Sequence, residues 1–410
     1  MKRFVISGYY GFANTGDEAI LAAIIQHIRE IEPDADFVVI SADPASTRRE
    51  HSVRAVARND LPSIVRELAG ADLLISGGGG LLQDATSSRS IPYYLGIVLL
   101  AKMLRVKVFF YAQGVGPIRG RLGRYLVRLI GNMVDSITVR DEASCSLLKE
   151  LGVRRPMIRV VADPVLGLAV PRFPPGPQAQ SSGASQVFEN EGNTRLYPAG
   201  RPAAPVIGIV VRRWKSFARY QDAIVEFACE LYRRAGARFL FIPFHYPGDL
   251  ELSRELAQRI RGAISGAGGV GEACGSGEIG GTGAGIDLGI IEEYRGPEAV
   301  LAAIQGVDLL VGMRFHSLVF AALVGTPFVA ISYDQKVDSF LSLLGEEKAG
   351  DVENINKMCL VDRTMEILMR GTGRGTALAE RARALGMKAR EAARLAVELI
   401  ETPSRSWAAP

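Results

Sequence analysis

Residues 308–336 read DLLVGMRFHSLVFAALVGTPFVAISYDQK. The apolar run from Asp308 to Val311 predicts a short buried strand and Gly312 a turn. Phe315 to Val324 then predicts a helix, and Phe328 to Ser332, after Gly325-Thr326-Pro327, a second strand. That is one α/β repeat. The turn ahead of the helix sets Arg314 and His316 on either side of Phe315, where the first N–H groups of a helix favour an anion. Lys336 follows the next strand. Parallel strands end on one edge of their sheet, so Lys336 is expected to face the same pocket. A guanidinium, an ammonium and an imidazole together suit a small phosphorylated acid that must be protonated. An arginine in such a turn is often only a surface ion pair, and a lone histidine is more often structural. Two such residues flanked by buried apolar runs, in a chain with 4 histidines, favour a site.

The N-terminal half repeats the same alternation. Phe4 to Ser7 predicts a strand, Gly8 to Gly16 a loop, and Asp17 to about Ile31 a helix whose apolar residues stand at 20, 21, 24, 25, 28 and 31. Thr15 and Glu18 have capping-box spacing. Gly8, Gly11 and Gly16 match neither GxGxxG nor a P-loop, which leaves dinucleotide and nucleoside triphosphate binding unsupported. Strands Asp36–Ile40 and Asp72–Ser76 are continuous apolar runs, as strands covered on both faces should be. The latter runs into Gly77-Gly78-Gly79-Gly80-Leu81-Leu82-Gln83-Asp84 and a Thr/Ser/Arg segment through Arg89 and Ser90. Glycines at a strand's carboxyl end, followed by hydroxyl and guanidinium groups, are read as a loop for a sugar or phosphate rather than a merely flexible connection. Strands Lys107–Ala112 and Ser136–Arg140 end at Gln113 and Arg140. The same edge thus collects Asn14, Asp17, Asp84, Gln113 and Arg140, and a carboxylate there could deprotonate a sugar hydroxyl, although acids at helix starts are also common caps.

Several classes are excluded by composition. The 410 residues are comfortable for two domains, and 48% apolar with 22% charged residues is ordinary for an α/β enzyme. A net charge of +4 fits anionic ligands or an anionic membrane surface but is far from a nucleic-acid signature. Cys145, Cys229, Cys274 and Cys359 form no CxxC pair, which argues for reduced thiols in a cytoplasmic protein and against zinc. Four residues between Arg3 and Gly8 are too short an apolar core for a signal peptide, and no run has the length of a membrane span. Between Gly116 and Met133, Arg121, Arg124 and Arg128 are expected on one helix face and Leu122, Tyr125, Leu126, Leu129 and Ile130 on the other. Such a basic amphipathic helix can lie on an anionic bilayer, but a solvated face over a packed one is the favoured reading.

Residues 171–205 are rich in Pro, Gly, Ser and Gln and are expected to be an interdomain linker between a first domain, 1–170, and a second, 206–375. The second opens with the strand Val206–Val211, which ends in Arg212-Arg213-Trp214. A helix to about Ala235 follows, then the strand Phe239–Pro243 with His245 at its end, a residue suited either to the site or to capping the next helix. Residues 262–285, roughly half glycine, read as a surface insertion. Pro297–Gln305 is a short helix, and residues 376–410 are a long Ala/Arg-rich helix with a polar tail. Two Rossmann-like, doubly wound α/β domains with ligand loops at their strand ends imply a cleft between them.

GYYGFANTGDEAIL, LLISGGGGLLQDATSSRSIPYYLG, YAQGVGPI, TVRDEAS, ADPV, GIVVRRW and GMRFHSLVFAALVGTPFVAISYDQKV resemble, in this order, the polysaccharide pyruvyl transferase family, and in particular its branch acting on secondary cell-wall polymers. The resemblance spans nearly the whole chain except the two low-complexity insertions. It implies a GT-B-like fold, phosphoenolpyruvate as donor and an undecaprenyl-diphosphate-linked acceptor of the ManNAc-GlcNAc type. The implied product is a 4,6-pyruvate ketal on N-acetylmannosamine that anchors S-layer proteins. Such an acceptor would allow a cytoplasmic enzyme peripheral contact with the inner face of the membrane, and no metal or cofactor is expected, since cations already neutralise the phosphate. His316 matches the family's Arg-x-His motif and is the expected general acid. Arg314 and Arg212, with Phe315 beside them, would hold carboxylate and phosphate, and Lys336 would assist phosphate departure. The acceptor is expected at Asn14, Asp17, Gly78, Gly79, Asp84, Arg89, Gln113 and Arg140, with Asp17 as base. Two rivals are a nucleotide-sugar glycosyltransferase of the same architecture and a non-catalytic binder of phosphorylated glycans.

Overall fold

The computed structural model describes residues 1–84, 87, 89–169, 204–214, 217–267, 286–370 and 373–402. The expected linker up to residue 203, the glycine-rich stretch from 268 to 285, Thr86 and Ser88 of the glycine loop, and the tail from 403 lie outside these residues.

The chain divides into two compact units. Unit 1 begins with β1 (Arg3–Ser7), α1 (Thr15–Arg29), β2 (Asp36–Ser41), α2 (Pro44–His51), β3 (Arg54–Ala57), α3 (Leu61–Ala69), β4 (Leu73–Ser76) and β5 (Gly79–Leu82). It continues through α4 (Ser90–Met103), β6 (Lys107–Val115), α5 (Arg121–Gly131), β7 (Ser136–Val139), α6 (Glu142–Glu150) and β8 (Ile158–Val160). Its strands are ordered β3-β2-β1-β4-β6-β7-β8, with β5 on β6, and every pair is parallel. The continuous apolar runs form the central strands because helices cover both faces, and Val5, Ile6, Leu74, Ile75, Phe109 and Phe110 are fully or nearly fully buried.

Unit 2 holds β9 (Val206–Val210), α7 (Phe217–Ala235), β10 (Arg238–Phe241), α8 (Gly248–Ala267), β11 (Leu288–Ile290), α9 (Gly296–Gln305) and β12 (Leu309–Gly312). Then come α10 (Phe315–Val324), β13 (Phe328–Ser332), α11 (Gln335–Leu344), β14 (Lys348–Asp351) and α12 (Lys357–Arg370). The order β11-β10-β9-β12-β13-β14, all parallel, is doubly wound. The chain first steps from β9 toward β11, then returns to the other side of β9 for β12 to β14, so the order reverses between β9 and β12. The last helix, α13 (Gly373–Glu401), belongs to unit 1 from Arg381 onward. There Arg390 donates to the Gly167 carbonyl at 2.6 Å and Lys107 to the carbonyls of Leu399 and Ile400, so residues 381–402 complete unit 1 rather than forming a separate tail.

Four local expectations change. Asn14, not Thr15, caps α1, its side chain accepting from Gly16 N at 3.2 Å; Glu18 instead accepts from Gly11 N at 2.7 Å and meets His51 Nε2 at 3.2 Å. Part of the glycine run is strand, because Gly79 and Leu82 align with Gln113 and Val115 of a β6 that is longer than its apolar core. Residues 262–267 extend α8 and are not insertion. On α5 Val127, Ile130 and Gly131 are buried and Leu126 packs half-buried on the core, whereas Leu122, Tyr125 and Leu129 are exposed, so only part of the apolar face that the sequence indicated is packed. An edge strand, β3, was also not anticipated, since its half-exposed RAVA carries no apolar run.

Candidate functional site

The basic groups of unit 2 gather where the strand order reverses. Arg212 follows β9, His245 follows β10, Arg314 follows β12, and Tyr333 and Lys336 follow β13, so parallel pairing delivers all of them to one sheet edge. Arg212 Cζ lies 4.7 Å from the Tyr333 ring centre and 5.2 Å from that of Trp214, whose ring meets Tyr333 edge-on at 5.0 Å. Lys336 Nζ lies 5.2 Å from the Tyr333 ring and 3.7 Å from Asp334 Oδ2. Arg212 Nε is buried and meets no acceptor among the described residues. Burial pushes the Tyr333 phenol up, but the charges of Lys336, Arg212 and Arg314 outweigh it and hold this phenol below its ordinary value. Three cations therefore act on one point.

Arg314 stands at the start of α10, in extended geometry. Its fork is filled along one side by Asp249: Nε donates to Oδ2 at 2.8 Å and Nη2 to Oδ1 at 2.5 Å. Asp249, 2% exposed in the first turn of α8, also accepts from the backbone N–H of His245 at 3.1 Å and of Phe244 at 3.3 Å. The expected bidentate clamp on a ligand is thus spent inside the protein. The guanidinium is thereby held in a fixed orientation by a buried acid. His316 is the second residue of α10, a helix whose first turn receives no side-chain cap. Its ring packs edge-on to Phe315 at 5.0 Å, and Phe315 packs on Phe340 at 5.4 Å. His245 lies close enough to feel the same charges: burial first, then Arg314, lowers its pKa. Sequence reasoning missed Asp249, Tyr333 and Trp214. An aspartate in a first helical turn reads as a cap, and only the spacing of an aromatic two or three residues from Arg212 and Lys336 hinted at cation–π contact.

In unit 1 the sheet edge brings Asp17, Gly79 and Gln113 together. Gly79 has φ +95°, and a Cβ there would lie 2.9 Å from Asp17 Oδ1, while its carbonyl accepts from Gln113 Nε2 at 3.3 Å. Asp17 is half-buried, and its charge, after burial itself, raises the phenol of Tyr10. Other expected acceptor residues serve the fold. Gly78 is packed beneath Ile20 and the Tyr111 carbonyl, leaving no room for a ligand. Gln113 is fully buried. Arg140, 7% exposed, pairs at 2.9 Å with the buried Asp163. Asp84 Oδ2 accepts from Arg119 N at 2.8 Å and Gly120 N at 2.6 Å, clamping the end of β5 to the start of α5. Asn14 is occupied as the cap of α1, and Arg89 is exposed at the start of α4. An unforeseen aromatic stack adjoins Asn14: Tyr9 lies flat on Phe12 at 4.0 Å, with Arg58 over Phe12 at 5.1 Å and over Tyr93 at 4.4 Å.

The family described as "Polysaccharide pyruvyl transferase" matches residues 14–335. The chain belongs to that family. The match begins at Asn14 and closes one residue before Lys336, so it takes in β9 and β12, between which the second sheet of this polysaccharide pyruvyl transferase reverses its order. No curated protein matches it. Among solved structures, a putative UDP-N-acetylglucosamine 2-epimerase from Listeria monocytogenes superposes with a TM-score of 0.60 at 13% identity, over 98% of this chain and 96% of that one. The UDP-GlcNAc 2-epimerase of Neisseria meningitidis gives 0.60 at 10% identity, over 98% and 100%. A glycosyltransferase from Rickettsia africae gives 0.58 at 13% identity, over 98% of each chain. At such identities the likeness is one of fold: the transferase shares with these enzymes the two parallel-sheet, GT-B-like architecture. Among the described residues no helix is long and apolar enough to cross a membrane.

Proposed function

We propose that this transferase moves the pyruvyl group of phosphoenolpyruvate onto a lipid-linked cell-wall polysaccharide precursor, closing a 4,6-ketal on N-acetylmannosamine for S-layer anchoring. The observation that carries the reading is the convergence of Arg212, Arg314 and Lys336 on Tyr333 beside the open start of α10, in a chain of this family. A doubly anionic enol phosphate with a carboxylate needs that density of positive charge. His316 donates a proton to the methylene carbon, which leaves C2 cationic for attack by an acceptor hydroxyl. Expulsion of inorganic phosphate, assisted by Lys336, precedes closure by the second hydroxyl, so the donor loses phosphate and the acceptor gains a pyruvate ketal. In unit 1, Asp17 is the carboxylate proposed to take a hydroxyl proton, with Asn14, Gly79 and Arg89 near the sugar. The protein's own cations neutralise the phosphate, and no metal or cofactor is invoked. With this donor the reaction belongs on the cytoplasmic side of the membrane.

The test is to incubate the purified chain with phosphoenolpyruvate and an undecaprenyl-diphosphate-linked ManNAc-GlcNAc, reading phosphate release and product mass together. Release of phosphate with a gain of one pyruvate ketal is the expected result. Sugar addition from a nucleotide sugar, with neither change from phosphoenolpyruvate, would replace this reading with a GT-B glycosyltransferase. Donor choice is also legible in thermal stability, because a ligand at a hundred times its Kd stabilises the folded state by about 2.7 kcal/mol.

A further inference from the structure

Residues 85–134 contain eight lysines and arginines and no aspartate or glutamate, in a chain that is otherwise close to balanced. This stretch builds α4 and α5, which lie side by side: Gly123 packs against Ile91 at one end, and Lys102 pairs at 2.7 Å with Asp135 at the other. The outer surface of α5 is apolar, with Leu122 63%, Tyr125 61% and Leu129 50% exposed at helical spacing. Beside it on α4, Met103 is 73% and Leu99 37% exposed. Scattered exposed leucines need no explanation, but three large apolar side chains at helical spacing on one helix, with two more exposed on the helix packed beside it, do. Arg121 and Arg128 are exposed within the stripe and Arg119 just before it. Acids at its edges are paired, Glu150 with Arg124 at 2.9 Å and Asp135 with Lys102 at 2.7 Å, and the exposed Arg119, Arg121 and Arg128, around leucines and a tyrosine, complement an anionic lipid surface.

We propose that the outer face of α5, continued by α4, docks on an anionic phospholipid bilayer. The leucines and Tyr125 enter the acyl boundary while Arg119, Arg121 and Arg128 meet the headgroups. Asp84 clamps the N-terminus of α5 to the end of β5, so the docked helix is held to the sheet edge that carries Asp17 and Gly79. Docking would therefore bring that edge to the membrane in which a lipid-linked acceptor resides; this last consequence rests on the function proposed above, while docking itself does not.

The test is cosedimentation of the full chain with vesicles of phosphatidylglycerol and phosphatidylcholine in equal parts, which contain neither donor nor acceptor. The chain is expected to pellet with these vesicles, to stay in solution with pure phosphatidylcholine, and to be released by salt. Leu122→Ser with Leu129→Ser should lower the partition coefficient at least about tenfold. Arg121→Glu with Arg128→Glu should lower it by more than about fivefold per residue, since each charge is reversed rather than removed. All four side chains are exposed, so unchanged thermal unfolding is the control for folding. Equal binding to neutral vesicles, or undiminished binding by the leucine pair variant, would overturn the proposal. Absence of vesicle binding together with a dimer that the leucine pair abolishes would assign the face to a second copy of the chain instead.

Discussion

Arg314 joins the basic cluster of unit 2 already tied to Asp249, and this decides how its neighbours should respond to mutation. Asp249→Asn removes the buried charge that holds the guanidinium, so stability should fall by about 3 kcal/mol, read as a lower urea midpoint. On the proposed function, donor affinity should fall with it, because Arg314 loses its orientation; an unchanged affinity would mean that Arg314 stays in place without Asp249. His316→Ala should abolish turnover with only modest loss of donor binding, and surviving turnover would remove this imidazole as the acid. His27 gives a pH dependence unrelated to catalysis. Burial lowers its pKa to about 4, and its ring abuts Gly167 and lies 3.4 Å from the Tyr111 hydroxyl. As pH falls below the ordinary histidine value of about 6.5, the unfolded chain protonates this residue while the folded protein does not. Stability is therefore fully present above about 6.5 and lost down to about 4, by about 3 kcal/mol. Urea midpoints across that range should show the slope, and His27→Leu should flatten it.

At the scale of elements, the glycine run after β4 is the most constrained piece of the sheet edge. A Cβ on Gly77 would lie 2.1 Å from Tyr10 Oη, and Tyr10 is 1% exposed and unable to withdraw. Gly77→Ala should cost about 2–3 kcal/mol by overpacking. Tyr10 Oη is itself buried without a hydrogen-bond partner among the described residues, so Tyr10→Phe should be nearly neutral and should recover most of the loss in the double variant. Additive losses in that cycle would show that the clash is relieved by the backbone and not by the hydroxyl. The sequence offered the four glycines as ligand-facing, and the structure divides them: Gly77 and Gly78 make room for Tyr10, Ile20 and the Tyr111 carbonyl, and Gly79 turns beside Asp17. A run of one residue type carries no record of which member faces which neighbour.

On the scale of the whole chain, the C-terminal helix matters to the unit built first. Ala382, Ala389, Ala392, Ala393, Ala396 and Val397 are buried in unit 1, and Gly386 rests on the Leu166 carbonyl. Ending the chain at Glu380 strips this layer and leaves Trp214, in unit 2, as the chain's single tryptophan. The truncated protein should lose much of its helical signal and the cooperative melting of unit 1, while Trp214 emission still reports a folded unit 2. Full retention of cooperative melting would show that unit 1 closes its core without α13.

Two doubly wound α/β units, with basic residues at the strand ends of the second, were legible in the sequence because both follow from local pattern. Apolar runs of strand length separated by helical periodicity specify parallel sheets, and parallel strands must open on one edge. The boundaries of α10 and β13 and the positions of Arg314, His316 and Lys336 come from that logic alone. Tertiary structure alone decided which charges are spent and which remain. Asp249 is 65 residues from Arg314, Asp163 lies across a strand from Arg140, and Tyr333 gathers cations from β9, β12 and β13. It also decided that Leu122, Tyr125 and Leu129 face outward. A helical stripe states that two faces differ, but only the neighbouring elements determine which of them is covered.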